Sequence, residues 1–274
     1  MATLRQYYGS PVAPLVVEGD PRDAVTAWHS QRSRLRAWLD GLPDDAWSGP
    51  TRCEGWDTSL LVRHLSSATQ FLGYTLAEAS GGTATTLLQG MDTRTTVAAA
   101  AEQLGTRRPD EARQMLAGAD GTVDAALDRL GDTGLQGIAE GPPGHMGAHL
   151  VLRHFLFDSW VHEYDLQLPR GGQPEADPLE AQVVVGYLIG LASIGDATPV
   201  ALDLRITDPD LRIGVDVVDG TVTVSPERVP AGASVVEGRA TDVVDRMSGR
   251  TGGVVSGDDA ALGVLDRMAL VFAS

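Results

Sequence analysis

The sequence predicts a helical bundle followed by a small α+β domain, and two observations carry that fold class. Up to about residue 193, apolar side chains recur three and four apart between Gly and Pro stops, the spacing of one helix face. After about residue 197 the pattern turns β-branched and alternating, with Asp219-Gly220 as a hairpin turn between two such runs. The expected division is therefore 1–196 for the bundle, including an N-terminal arm, and 197–274 for the small domain.

The elements follow in order. Residues 1–19, with two prolines, read as an irregular arm. Asp20-Pro21 is a capping side chain followed by proline, and Val25, Trp28, Leu35 and Leu39 then run to the stops Gly41 and Pro43. A Pro-, Gly- and Asp-rich loop covers 44–55. Asp57 caps a second helix with the apolar face Leu60, Leu61, Leu65, Ala68, Phe71 and Leu72; His64 sits within it, and Gly81-Gly82 ends it. The spacing predicts further helix over 93–104 and 111–130, broken near Arg108-Pro109. A glycine-rich connection over 131–144 leads to a helix over 145–166, stopped by Pro169 and Gly171-Gly172. The helix 178–193 is apolar on every side in its middle and should be buried. Strands are expected at 201–207, 212–218, 221–225 and 234–237, with helices at 241–248 and 259–271.

Composition removes several function classes. The 274 residues carry 21 basic and 37 acidic side chains, a net charge of -16, which argues against nucleic acid or an anionic membrane surface as main partner. Every basic residue is Arg, which excludes Schiff-base and P-loop lysine chemistry and fits a high-GC genome. A single cysteine, Cys53, excludes an internal disulfide framework and a sulfur-rich zinc site. No run approaches the roughly 20 apolar residues that span a bilayer, and no signal-peptide apolar core appears near residue 1. A cytoplasmic protein is the expectation.

The chemistry concentrates in Phe155–Leu166. Val151, Phe155, Asp158, His162 and Asp165 share one helix stripe, whose apolar members mark it as buried. A carboxylate and an imidazole enter a core only with partners. His64, on the inner face of the second helix, is the third inward polar group. Two imidazoles and a carboxylate suit a divalent ion such as zinc and leave a coordination position open; an intrahelical Asp158–His162 ion pair is the plainer alternative. Asp165, at the end of the stripe, is expected to orient an imidazole or simply to terminate the helix. His145 and His149 read as solvated or pocket-rim residues, His154 as an entrance residue and Cys53 as packing; His29 receives no role.

Three runs resemble a known family: Leu39-Asp40-Gly41-Leu42-Pro43-Asp44-Asp45-Ala46-Trp47, Thr51-Arg52-Cys53-Glu54-Gly55-Trp56-Asp57 and Leu60-Leu61-Val62-Arg63-His64-Leu65. They are similar to the N-terminal signature of the mycothiol-dependent maleylpyruvate isomerases, and Asp158 through Leu166 resembles that family's second signature. The resemblance implies a DinB-like four-helix bundle followed by a sterol-carrier-like α+β domain. It implies that His64, Asp158 and His162 hold a divalent metal, zinc first, and that mycothiol serves as co-substrate for isomerisation or thiol transfer on a small activated molecule. One departure from the resemblance matters: the family's characterised isomerase carries Glu where this chain has Asp158. Met247-Ser248-Gly249-Arg250 resembles the family's Gly-Arg pair for the thiol, with Gly238-Arg239 as a competing match. Arg250 and Arg239 are thus the candidate anion ligands, against a plain surface charge for either. Two other readings stay open: a thiol-independent metal enzyme of secondary metabolism (cyclisation, hydrolysis or elimination), and a non-catalytic small-molecule carrier.

Overall fold

The computed structural model describes residues 6–9, 14–91, 95–105, 108–194 and 200–272. The expected division at 196/197, the expected helix start at 93 and one proline of the arm, Pro11, lie outside the described residues. Within the arm, Leu15–Val17 form a strand, β1, where the sequence reads as irregular. Its three residues pair in parallel with a strand 207 positions later, Leu15 opposite Val222, a partner that local sequence does not announce.

The first helix, α1 (Arg22–Gly41), starts just past Asp20, whose Oδ1 accepts the Arg22 backbone N–H at 2.9 Å. After a 3-10 turn at Asp44–Ser48 come α2 (Thr58–Ser80), α3 (Thr95–Gln103) and α4 (Pro109–Gly134). The break at Arg108-Pro109 is present and carries a capping box with Glu111. In α4, Gly131 sits at φ 55°, a left-handed kink that a side chain would resist.

The segment expected as a connection and the start of a long helix is a hairpin instead. Its strands are β2 (Ile138–Gly141) and β3 (Gly144–Gly147). Helix α5 (Ala148–Gln167) therefore starts three residues later than the sequence pattern implies, and His145 lies on β3. Pro142-Pro143 forbids helix there and leaves a tight turn.

Helix α6 (Pro178–Ser193) is capped by Asp177 and is buried from Val183 to Leu191. Its all-round apolarity has a structural cause. It packs on α1 and α5 of the bundle and also on the second half of the molecule. That half comprises β4 (Leu202–Thr207), β5 (Asp210–Val218), β6 (Thr221–Ser225), β7 (Ser234–Gly238), α7 (Ala240–Met247), β8 (Ser256–Gly257) and α8 (Asp259–Phe272). The sheet order is β1-β6-β5-β4-β7-β8. Asp219 and Gly220, at φ 50° and 77°, make the expected hairpin turn between β5 and β6. A helical N-terminal part thus joins a C-terminal α/β part through one apolar core. Among the described residues, no helix is long and apolar enough to cross a membrane.

Candidate metal centre

Two helices and one turn build the centre. Asp57 accepts the Leu60 backbone N–H at 2.7 Å, fixing the first turn of α2 and so the phase that carries His64 inward. On α5, every residue is buried except Asp158. Burial on all sides rather than on one stripe is the correction to the sequence pattern, and it makes Asp158 the one place where α5 meets solvent. The turn before α2 supplies Cys53. Thr51 Oγ1 accepts the Cys53 N–H at 3.1 Å and donates to the Trp56 carbonyl at 2.9 Å, while Gly55 takes φ 76°.

The three expected ligands meet. His64 Nε2 lies 3.2 Å from Asp158 Oδ2, and His162 Nε2 lies 3.5 Å from Asp158 Oδ1. The two imidazoles stand edge to face with centroids 4.9 Å apart, and all three ligand atoms fall within 4.8 Å of one another. Tetrahedral zinc with bonds of about 2.1 Å needs ligand atoms roughly 3.4 Å apart. The donor set and its spacing therefore fit a divalent ion with an open position. Side-chain exposures of 9% for His64, 11% for His162 and 24% for Asp158 put that open position toward solvent.

Electrostatics agree with a cation site. Burial opposes ionisation of Asp158, yet the facing His64 and His162 outweigh it and hold the carboxyl well below the usual range. Burial likewise disfavours charge on His162, but Cys53, Asp158 and Asp165 outweigh it and raise the imidazole well above its ordinary value. Such a cluster retains either protons or a metal, and the two compete.

Asp165 orients the second imidazole: its Oδ2 lies 2.8 Å from His162 Nδ1. Asp165 is fully buried, and its pKa stays far below normal because hydrogen bonding and charge from His162 and Arg250 overcome burial. Arg52 Nε reaches Oδ1 at 2.9 Å and an Arg250 terminal nitrogen reaches Oδ2 at 2.7 Å. Arg52 also pairs with Asp245 at 2.7 Å, so the C-terminal part is tied to a ligand-orienting carboxylate. Cys53 Sγ lies 3.3 Å from Asp165 Oδ2 and 3.7 Å from His162 Nδ1, a second grouping with ligand-type atoms. Its 2.8 Å Nδ1–Oδ2 separation is that of a hydrogen bond, shorter than the edge of a metal polyhedron. Cys53 is therefore beside the centre rather than mere packing.

Other candidates fall elsewhere. Arg250 arrives at the centre, whereas Arg239, half exposed, binds Asp242 at 2.9 Å and does not. His154 is buried, receives the Tyr187 hydroxyl at 2.9 Å and is pushed by burial down to about 4, so it lines no entrance. His149 is buried too, against the solvated expectation. His145 Nε2 bonds the Thr85 carbonyl at 2.7 Å, and exposed His29 pairs with Asp124. Arg52 was not singled out from sequence; it stands inside the run Thr51–Asp57, but nothing in that run tells which way it points.

A family model for the mycothiol maleylpyruvate isomerase N-terminal domain matches residues 28–167, from α1 to the last residue of α5. The chain belongs to this family. Membership makes it an enzyme of an isomerase family, and the matched span contains His64, Asp158, His162 and Asp165. Arg250 lies beyond it. The fold resembles the crystal structure of a mycothiol-dependent maleylpyruvate isomerase, with a TM-score of 0.59 at 17% identity over 87% of this chain and 92% of that one. A histidine-to-alanine mutant of that enzyme gives 0.58 with the same coverage. The comparison with curated proteins gives no significant match.

Proposed function

We propose that the chain binds a divalent metal, zinc first, at His64, Asp158 and His162, and uses mycothiol to isomerise or thiolate a small activated substrate such as maleylpyruvate. The bundle (1–196) would hold the metal, and the small domain (197–274) would bring an arginine to the thiol or substrate anion. The observation that carries this reading is the convergence of His64 and His162 on Asp158 at 3.2 and 3.5 Å, with all three ligand atoms within 4.8 Å of one another and Asp158 open toward solvent.

When bound, the metal would supply Lewis acidity and lower the pKa of a coordinated thiol or water. The chain's own residues do the rest. Asp165 accepts the Nδ1–H of His162 and so leaves Nε2 as the donor atom. Arg52 and Arg250 keep Asp165 ionised. Arg250 engages Asp165 and the Ser248 carbonyl, which leaves further N–H donors of its fork for a carboxylate. Trp56, edge-on to His64 at 5.5 Å, supplies an apolar wall. In the isomerisation, a thiolate adds to the activated double bond, the substrate turns about the resulting single bond, and expulsion of the thiolate restores the double bond. The thiol returns unchanged. In a transfer, the adduct takes up a proton and is the product.

The test is metal analysis of purified protein together with cis-to-trans conversion of maleylpyruvate with and without mycothiol. One divalent ion per chain and thiol-dependent turnover are expected. Absence of stoichiometric metal in wild type overturns the site. Metal-dependent turnover indifferent to thiol selects the thiol-independent reading.

A further inference from the structure

Arg170 is a half-buried cation with no carboxylate partner among the described residues. Pro169 and Gly171, the latter at φ 73°, frame a 3-10 turn over Leu168–Arg170 that folds this side chain back onto the last turn of α5. Its guanidinium makes four hydrogen bonds, all to neutral oxygens. One terminal nitrogen donates to the Leu166 carbonyl at 2.7 Å and the Pro50 carbonyl at 3.0 Å. The other donates to the Ala46 carbonyl at 2.9 Å and to Thr58 Oγ1 at 2.6 Å.

Those four oxygens belong to separate pieces of the frame around the metal centre. Leu166 follows Asp165 on α5, and Thr58 opens α2, the helix of His64. Ala46 and Pro50 lie between α1 and α2. Residues 50–57 form a loop pinched at its base, where Pro50 and Asp57 make an isolated bridge and the Thr58 N–H donates to the Gly49 carbonyl at 3.1 Å. The loop carries Arg52, Cys53 and Trp56. Arg52 is held twice on Asp165, by its backbone N–H on the carbonyl at 3.1 Å and by its Nε on Oδ1 at 2.9 Å. Gly49 leaves the room, since a Cβ there would lie 2.7 Å from a terminal nitrogen of Arg170. A guanidinium, with five N–H donors in one rigid plane, fixes several carbonyls at set separations, which an ammonium on a free stem does not.

We infer that Arg170 is a positioning residue of the metal centre: it clamps the base of the 50–57 loop to the end of α5 and the start of α2, so that Arg52 meets Asp165 and Trp56 walls His64. The role rests on the proposed metal site and adds to it a side chain that touches neither ion nor substrate. Releasing the clamp leaves His64, Asp158 and His162 on their helices. It loosens Arg52 from Asp165, and with it the hold of Asp165 on His162 Nδ1. Cys53, the sole thiol of the chain, sits on the same loop and reports its movement.

The experiment compares the full-length chain with Arg170→Gln and Arg170→Lys. Arg113→Gln is the control, because Arg113 bonds the Leu39 and Leu42 carbonyls in the same manner at the end of α1, outside the loop. Two quantities are read on chains that circular dichroism shows to be folded: the rate at which iodoacetamide alkylates Cys53 with zinc in excess, and zinc affinity by competition with a chromophoric chelator. Both Arg170 variants are expected to alkylate about fivefold faster or more and to bind zinc about tenfold more weakly, with Arg113→Gln like wild type in both. If neither Arg170 variant folds, Thr58→Val, which removes one of the four acceptors, is expected to show the same two changes in smaller measure. Unchanged alkylation in a folded variant overturns the clamp. Faster alkylation with unchanged zinc affinity overturns the positioning role, and equal weakening in Arg113→Gln assigns the effect to general loosening and overturns it too. A wild-type chain that takes up no zinc overturns the metal reading and this role with it, while the alkylation rates still show whether Arg170 holds the loop.

Discussion

At the scale of single residues, the centre depends on which nitrogen of His162 is free. Asp165 settles this by holding Nδ1 at 2.8 Å, and its charge makes the imidazole a better donor. Asp165→Asn keeps the volume and removes the charge. It is expected to weaken zinc binding by about 10- to 100-fold, read by competition with a chromophoric chelator, while the fold persists. An unchanged affinity would show that Asp165 does not orient the ligand. His154 sets a different expectation. It must stay neutral in the fold, where burial pushes it to about 4, but it takes a proton near 6.5 once unfolded. Its folded pKa is depressed, so its neutral form contributes fully above about pH 6.5 and that contribution drains away as pH falls toward 4. The difference amounts to roughly 3 kcal/mol. His154→Gln is expected to flatten the urea-midpoint profile between pH 7 and pH 4.5 relative to wild type; parallel profiles would refute this.

At the scale of elements, sequence pattern succeeded where chemistry is local and failed where a neighbour decides. The Asp57 cap, the Pro178 start of α6 and the Asp219-Gly220 turn depend on a few adjacent residues, and all three are present. The Asp158–His162 spacing was legible for the same reason: one helical turn brings the pair together. The stripe on α5 was only half of the truth, because α5 is enclosed by α1, α2 and α6, and periodicity cannot see enclosure. His149 and His154 were misplaced for that reason. Close approach of α2 and α4 is another such fact, and Gly73 makes it. A Cβ there would lie 2.5 Å from Thr122 Oγ1 and 3.1 Å from its Cβ. Gly73→Ala gains about 1 kcal/mol of helix propensity, but overpacking of this kind costs about 1–3 kcal/mol. A net destabilisation of about 1 kcal/mol is expected in chemical denaturation, and a stabilised variant would mean that α4 yields without strain.

At the scale of the whole molecule, the features that complete the site come from far apart in sequence, which is why they were hidden. The arm reads as irregular because its strand partner, β6, lies some two hundred positions away. Arg250 was reachable only through a motif likeness, and Arg52 through nothing at all, since a guanidinium's partner is set by tertiary packing. Both meet on Asp165, which is fully buried, and Arg52 also grips Asp245 on α7. The net charge of -16 makes these bonds consequential, because acidic groups of the two parts repel unless arginines stand between them. Removing one partner from a buried ion pair costs about 3–5 kcal/mol, and a buried Asp165 with one arginine left loses only part of its compensation. Arg250→Gln is therefore expected to destabilise the fold by roughly 2–3 kcal/mol. Combined with Asp165→Asn, the loss should fall short of the sum of the two by about 0.5–3 kcal/mol, because the neutral side chain no longer needs the cation. A double-mutant cycle in urea measures that coupling directly. Strict additivity would mean that Arg250 and Asp165 act independently and that the C-terminal part does not support the metal centre through this pair.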